Sequence, residues 1–336
     1  AQDLSLTPAS TTIGGRPVRG FNVAVGGKMG SGGCRLASPL DVFVTEEHAA
    51  TLCSHIVQIF RDHGPRVART RARLAFLIDD WGLERFRDEL ERRVPFPLMK
   101  AGKDARTARH SDHLGVVSQR QPGLNSVGLL VPVGRITVDQ LFEVARLAEA
   151  YGDGNVRITT GQNVIIPNVP NERVESLLAE PLLRQLSPSP HGIARGTVSC
   201  TGIDYCHFAL IETKELALRL SQHLEQKLPP DRRLSVHWSG CPAGCGNHAM
   251  ADIGFVGKNI RRNGEVVDAV DVFVGGRTGT NAKSGDKVLE DVPCDELPHV
   301  LEQLVPMLPY FSKRRPASST TTSSPSLSKE QIQANA

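Results

Sequence analysis

The sequence predicts an α+β protein of two or three folding units, and three observations carry that prediction. A β-α-β-β-α order runs between residues 126 and 183, the split layout of a ferredoxin-like half-domain. A strand ending in Val-Gly-Gly occurs twice, as Val23-Ala-Val-Gly-Gly27 and Val272-Phe-Val-Gly-Gly276. Four of the seven cysteines fall in two tight loops, Cys200-Thr-Gly-Ile-Asp-Tyr-Cys206 and Cys241-Pro-Ala-Gly-Cys245, which a mixed domain must bring together. At 336 residues the chain is long enough to bury a substantial core.

Composition narrows the functional classes. Forty per cent hydrophobic and 22% charged residues are ordinary for a soluble globular protein. Thirty-nine basic against 36 acidic side chains give a formal +3, too mild to argue for nucleic acid. The basic residues crowd between Arg61 and Arg93, among almost as many carboxylates. That pattern reads as a solvated helical face, with a docking patch for an acidic partner as the alternative. No apolar run approaches the roughly 20 residues of a transmembrane span, so no membrane role is expected. An odd number of clustered cysteines is not a disulfide framework and fits a reducing compartment. The start, Ala1-Gln2-Asp3-Leu4-Ser5, lacks the basic and apolar segments of a secretory signal.

In chain order, residues 1–17 are polar, contain Pro8 and Pro17, and read as a leader or a cut end. Phe21–Val25 alternates and stops at Gly26-Gly27, as a strand does. The glycine-rich stretch 28–33 lacks the Lys-Ser/Thr of a phosphate-binding loop. Thr45-Glu46-Glu47 starts a helix carrying Leu52, Ile56, Ile59 and Phe60, with Cys53 beside that stripe. A second amphipathic helix covers 83–94, before Pro95 and Pro97. Strand 126–133, a helix capped by Thr137 and stopped at Gly152, strands 155–159 and 163–168, and a helix over 172–183 make the half-domain. A helix over 214–228 and a strand over 234–238 join the cysteine loops. A strand 252–256, an Asn263-Gly264 hairpin turn, a strand 270–274 and a helix from Leu297 complete the pattern. From Pro316 onward Ser and Thr dominate, and a disordered tail is expected.

The repeat extends downstream: Asp41-Val-Phe-Val-Thr-Glu46 lines up with Asp291-Val-Pro-Cys-Asp-Glu296, each leading into a helix. The second copy has about eighty residues before its Val-Gly-Gly and the first barely twenty. The first unit is therefore expected to lack most of its front. The resulting division is 1–17 leader, 18–103 remnant of a first copy, 104–188 half-domain, 189–312 cysteine-loop domain and 313–336 tail.

Four thiolates from two loops suit an iron–sulfur cluster or a tetrahedral zinc. Cys241 and Cys245 have zinc-type spacing, whereas Cys200 and Cys206 are too far apart for it. His207, His237 and His248 flank the loops and leave a Cys/His zinc site open.

Residues 200–214, Cys-Thr-Gly-Ile-Asp-Tyr-Cys-His-Phe-Ala-Leu-Ile-Glu-Thr-Lys, resemble the first cluster loop of the ferredoxin-dependent assimilatory nitrite reductases, in the sirohaem nitrite/sulfite reductase superfamily. Gly240-Cys-Pro-Ala-Gly-Cys-Gly246, with Ala251-Asp-Ile-Gly-Phe255 behind it, resembles their second loop. Gly161-Gln-Asn-Val-Ile-Ile-Pro-Asn-Val169 and Gln121-Pro-Gly-Leu-Asn125 match as well, so the similarity runs from about residue 20 to 310.

The resemblance implies a [4Fe–4S] cluster on Cys200, Cys206, Cys241 and Cys245, with Cys245 bridging to sirohaem iron as its axial thiolate. It implies six-electron reduction of nitrite to ammonium by reduced ferredoxin, in a monomer of the cytoplasm or a plastid stroma. Arg157, Gln162, Asn163, Thr201 and Asn247 are the expected contacts to sirohaem and its carboxylates. The family's substrate-holding cations lie largely upstream of where this chain begins, so no catalytic residue is assigned. The Cys-Pro-Ala-Gly-Cys loop is closer to the sulfite reductases, which keeps sulfite open as substrate. An oxygenase of cobalamin synthesis with the same loops, and a zinc-bound interaction module without redox chemistry, are the remaining alternatives.

Overall fold

The structure, a computed structural model, describes residues 2–30, 33–107 and 111–308. It is α+β and divides into two compact units. One unit is drawn from the residues before 111 together with Arg277–Ser284, and the other from the remaining described residues. The tail expected from Pro316 lies outside the described residues.

The first unit opens with a hairpin where the sequence reading expected a leader. Strand β1 (Leu4–Ile13) pairs with β2 (Arg16–Val25) along its whole length. The turn is Gly14-Gly15 at φ 56° and 77°, the left-handed pair that a two-residue hairpin needs. The polar Ser and Thr of β1 are half-exposed positions of a strand, and Pro8 sits within it. Strand β3 (Ser38–Thr45) pairs antiparallel with β2. Helix α1 (Ala49–His63) and helix α2 (Leu74–Arg93) follow. Helix α2 begins nine residues before the expected start and kinks at Gly82, at φ 75° and ψ 163°. Strand β4 (Lys103–Asp104) closes the sheet order β3-β2-β1-β4. The core sets Val23, Val25, Val42 and Val44 against Leu52, Ile56, Ile59, Phe86 and Leu90. Burying each of the larger side chains stabilises by about 1.5–3 kcal/mol. The arginines of 61–93 are largely neutralised in place. Arg93 holds Asp62 and Glu89, Arg61 holds Asp62, and Arg87 reaches Asp41. Arg66 and Arg85 lie over the rings of Phe60 and Trp81.

The second unit contains two sheets. The first holds β5 (Gly115–Ser118), β6 (Leu124–Leu129), β7 (Arg157–Ile158) and β8 (Val164–Pro170), antiparallel in the order β5-β6-β8-β7. Helix α3 (Val138–Tyr151) packs on it, started by a capping box between Thr137 and Gln140. Val127, Leu129 and Ile166 meet Val144 and Leu147 in this core. The strand expected to reach residue 133 stops at Leu129, because Pro132–Gly134 is a tight helical turn with Val133 at φ 48°. The helix expected over 172–183 is only α4 (Val174–Leu178), flanked by tight turns, with Pro181 opening the second of them.

Helix α5 (Gly192–Gly196) then leads into β9 (Thr197–Ser199). Helix α6 (Lys214–Lys227) returns the chain to β10 (Val236–Ser239). The hairpin of β11 (Ile253–Arg262) and β12 (Glu265–Val274) turns at Asn263-Gly264, as the sequence predicts. Strand β13 (Asp286–Pro293) and helix α7 (Leu297–Met307) follow. The sheet order is β13-β12-β11-β10-β9, antiparallel on the hairpin side and parallel from β11 to β9. Trp238, Phe255 and Val272 belong to one core with Leu220, Leu224, Leu301 and Leu304.

The repeat is a structural one. In both copies two ten-residue strands join through a two-residue turn, an eight-residue third strand follows, and a helix comes next. Asp41 and Asp291, aligned by sequence, share the same left-handed backbone at φ 55° and 58°.

Candidate metal centre

The two cysteine loops meet because of a β-α-β crossover. Parallel β9 and β10 are hydrogen-bonded neighbours, with Ser199 opposite Trp238. Their carboxyl ends therefore leave the sheet side by side, the usual place for a site in a parallel sheet. Cys200 follows one end, and Gly240-Cys241 follows the other. Cys200 N–H donates to Trp238 O at 3.0 Å, and Gly240 N–H donates to Cys200 Sγ at 3.1 Å.

Cys200 is tied on every side. Thr213 Oγ1 donates to its carbonyl at 2.9 Å and lies 3.8 Å from its sulfur. Gln162 Nε2 and Lys214 Nζ both donate to Ser199 O, at 2.8 and 2.9 Å. The rest of the first loop is exposed except around Cys206, Gly202 and Ala209. Arg135 reaches Asp204 at 3.2 Å and braces it.

The second loop is a sequence of tight turns. Gly244 N–H donates to Cys241 O at 3.3 Å, and Asn247 N–H to Gly244 O at 2.8 Å. Gly244 at φ 75° and Asn247 at φ 60° supply the left-handed bends. Gly246 N–H donates to Ser239 Oγ at 3.1 Å, and a Cβ at Gly246 would stand 1.9 Å from Trp238 O. The loop thus lies directly on the end of β10, where only glycine fits.

Cys200, Cys206 and Cys241 are half-buried and Cys245 is exposed. Despite that exposure the Cys245 thiol is pushed up, first by what burial it has and then by Cys200, Cys241 and Cys206. A Cys245 thiol raised in part by its three cysteine neighbours fits a group that brings positive charge among them. Cys34, Cys53 and Cys294 take no part in that set, and burial pushes the Cys294 thiol up to about 12. Among the described residues no three His, Cys, Asp or Glu side chains converge as a single-ion site requires.

The remaining expected residues divide. Thr201 and Asn247 lie in the two loops, Thr201 exposed and Asn247 half-buried. Gln162 reaches the strand leading to Cys200, and its side chain is committed to Ser199. Asn163 is buried and accepts from Val131 N–H at 2.9 Å, bracing the half-domain. Arg157 is exposed on β7. His237 and His248, flanking the loops, face inward: His237 Nδ1 lies 3.3 Å from Asn247 O, and His248 Nδ1 lies 3.0 Å from Ser239 Oγ. Burial pushes His237 down, and it pushes His248 down to about 4.

Lys214 and Thr213 were missed as site residues by sequence reasoning. Lys214 is the first residue of α6, where the helix dipole disfavours a cation. That misplacement is the signal that singles it out.

Fold and site define a protein of paired thiolate loops built on a duplicated three-strand unit. The family model for the nitrite and sulphite reductase 4Fe-4S domain matches residues 1–98 and 193–317. The model for the nitrite/sulfite reductase ferredoxin-like half domain matches 117–183. The chain belongs to this nitrite and sulphite reductase family. It is 46% identical over 304 residues to the ferredoxin–nitrite reductase of Synechococcus elongatus, covering 90% of this chain and 59% of that one. To the assimilatory ferredoxin-dependent nitrite reductase of Haloferax mediterranei it is 42% identical, covering 90% and 54%. The solved structure of the Mycobacterium tuberculosis NirA protein superposes at a TM-score of 0.84, with 29% identity, covering 94% of this chain and 58% of that one. The chain spans between about half and three fifths of the length of the curated relatives it matches. No helix among the described residues is long and apolar enough to cross a membrane.

Proposed function

We propose that this chain is the cluster-bearing portion of a ferredoxin-dependent assimilatory nitrite reductase, with Cys200, Cys206, Cys241 and Cys245 holding a [4Fe–4S] cluster and Cys245 shared with sirohaem. The observation that carries the reading is the convergence of the two loops at the ends of β9 and β10, with Gly240 N–H on Cys200 Sγ. When bound, the two groups would supply six electrons from reduced ferredoxin, so that nitrite and eight protons give ammonium and two waters.

The chain's own residues hold the thiolates. Gly240 N–H donates to Cys200 Sγ, and Thr213 fixes the Cys200 peptide. The left-handed turns at Gly244 and Asn247 set Cys245 at the exposed end of its loop. Thr201, Asn247 and Arg157 remain the proposed contacts to sirohaem carboxylates, as do the turn residues Gln162 and Asn163. The inward placement of His237 and His248 weighs against a Cys/His zinc site. A zinc ion about 2.3 Å from each sulfur would draw the four together, whereas a four-iron cluster seats each thiolate on its own iron. A monomer working in the cytoplasm or a plastid stroma completes the reading.

An anaerobic absorption spectrum, with iron, sulfide and zinc counted per chain, tests it. Four or more irons with acid-labile sulfide are expected, and sirohaem bands with iron above four establish the coupled pair. Zinc in a colourless solution overturns the proposal. Reduced methyl viologen with nitrite or sulfite then separates the substrates, with faster loss of nitrite expected. The second loop's Cys-Pro-Ala-Gly-Cys makes sulfite the competing reading.

A further inference from the structure

Lys214 is 9% exposed, and among the described residues no carboxylate lies within ion-pair distance of it. Its Nζ is held by two carbonyls alone, those of Val133 and Ser199. Ser199 O belongs to the peptide group whose nitrogen is Cys200's, so the ammonium rests on the backbone that carries the first thiolate. Val133, the other partner, is a β-branched residue in left-handed backbone at φ 48°, ψ 21°. Such a conformation costs on the order of 1–3 kcal/mol and persists only where its surroundings hold it. The helix dipole is no compensation, because Lys214 opens α6 at the positive end. Glu212 caps that end instead, accepting from the N–H groups of Lys214, Glu215 and Leu216.

A buried cation without a counter-charge is unfavourable unless something anionic arrives. Burial pushes Lys214 below its ordinary range, and the largest opposing influence is Cys200, ahead of Glu212. Four thiolates around a cluster supply the missing negative charge. Net charge near a cluster is one of the levers on its reduction potential.

We propose that Lys214 is a positioning residue of the cluster site, a fixed positive charge against the Ser199–Cys200 peptide that favours the reduced cluster. The inference rests on the cluster assignment above. Its test is a redox titration of the full chain with its cluster loaded, followed by electron paramagnetic resonance. Wild type is compared with Lys214→Met, Lys214→Arg and Lys227→Met. The Lys214→Met variant is expected to need a more negative potential. At a fixed potential its ratio of reduced to oxidised cluster falls about tenfold, equivalent to ~59 mV for one electron. The Arg variant restores most of that shift. Lys227→Met, which removes an exposed positive charge from the far end of the same helix, leaves the potential close to wild type.

A loaded Lys214→Met variant with the wild-type potential overturns the proposal, as does a Lys227→Met shift as large as that of Lys214→Met. If the Lys214→Met variant takes up no iron, uptake by the Arg variant shows that the charge itself is required and upholds the proposal. Failure of the Arg variant as well overturns it. A wild-type chain without iron and sulfide is a different result, because it removes the cluster assignment itself.

Discussion

The two copies of the three-strand unit have the same strand lengths and turn length, yet among the described residues the paired cysteine loops lie beside the second alone. In the first, the neighbour of β1 is the two-residue β4. In the second, the corresponding neighbour of β11 is β10, which ends two residues before Cys241 and itself lies beside β9. The hairpin is thus a frame that both copies share, and what differs is the strand laid against its edge. A parallel pair added there converts a structural sheet into one with an open carboxyl end, where loops can meet.

The widest gap between the copies should appear when cysteines are removed. Cys241→Ser is expected to abolish iron and sulfide binding, whereas Cys34→Ser in the first copy leaves both counts unchanged. Parallel iron and sulfide analysis of the two variants decides it.

A smaller difference concerns acid. Folding holds His248 at about 4 against an ordinary 6.5, so the unfolded chain binds the proton more readily. Stability from this residue is complete above about pH 6.5 and falls as the pH drops towards 4. The loss amounts to about 3 kcal/mol. Urea midpoints at pH 7 and pH 4.5 should diverge less in His248→Gln, with the remaining slope partly from His237, which burial shifts the same way.

Packing distinguishes the copies on a finer scale. Gly20 and Ala269 occupy equivalent positions three residues before the repeated valine. A Cβ at Gly20 would meet Val44 O at 2.2 Å and the Phe43 ring at 2.7 Å. Ala269 is fully buried, and Pro293 stands at the place of Phe43 in the repeat. Gly20→Ala should cost about 1–3 kcal/mol by overpacking, measured as a lowered urea midpoint.

The least effect is expected in the turns. Gly14 at φ 56° and Asn263 at φ 54° share one backbone state, and a Cβ at Gly14 meets nothing within 4 Å. Gly14→Asn, which copies the second hairpin, should stabilise by up to about 1 kcal/mol by restricting the unfolded chain. A thermal midpoint that falls would show the turns to be less alike than their dihedrals.

What the sequence made legible was local. Asn263-Gly264 declared its hairpin, Thr137 declared a helix start, and the paired cysteines marked the site. Strand β1 was obscured because its Thr- and Ser-rich face is half-exposed and Pro8 sits inside it. Only ten-residue pairing with β2 makes it a strand, and pairing is not a local property. The continuous helix over 172–183 failed at Pro181, which opened a new turn. Lys214 was hidden for the opposite reason. Its residue type and helical setting were plain, but its burial against Val133, 81 residues away, emerges only from the fold.

The β9–α6–β10 crossover has a consequence for the order of events during maturation. Cys200 and Cys241 are neighbours only after a helix has packed and the strands on either side of it have paired. No short peptide of this chain gathers the four thiols in advance, unlike a zinc finger whose metal organises its own fold. Under the proposed cluster assignment, polypeptide order therefore precedes cofactor insertion. A newly made chain would then hold the four thiols unfilled until iron and sulfide are delivered, and during that interval Cys245, exposed at its loop end, is the most accessible of them to an oxidant.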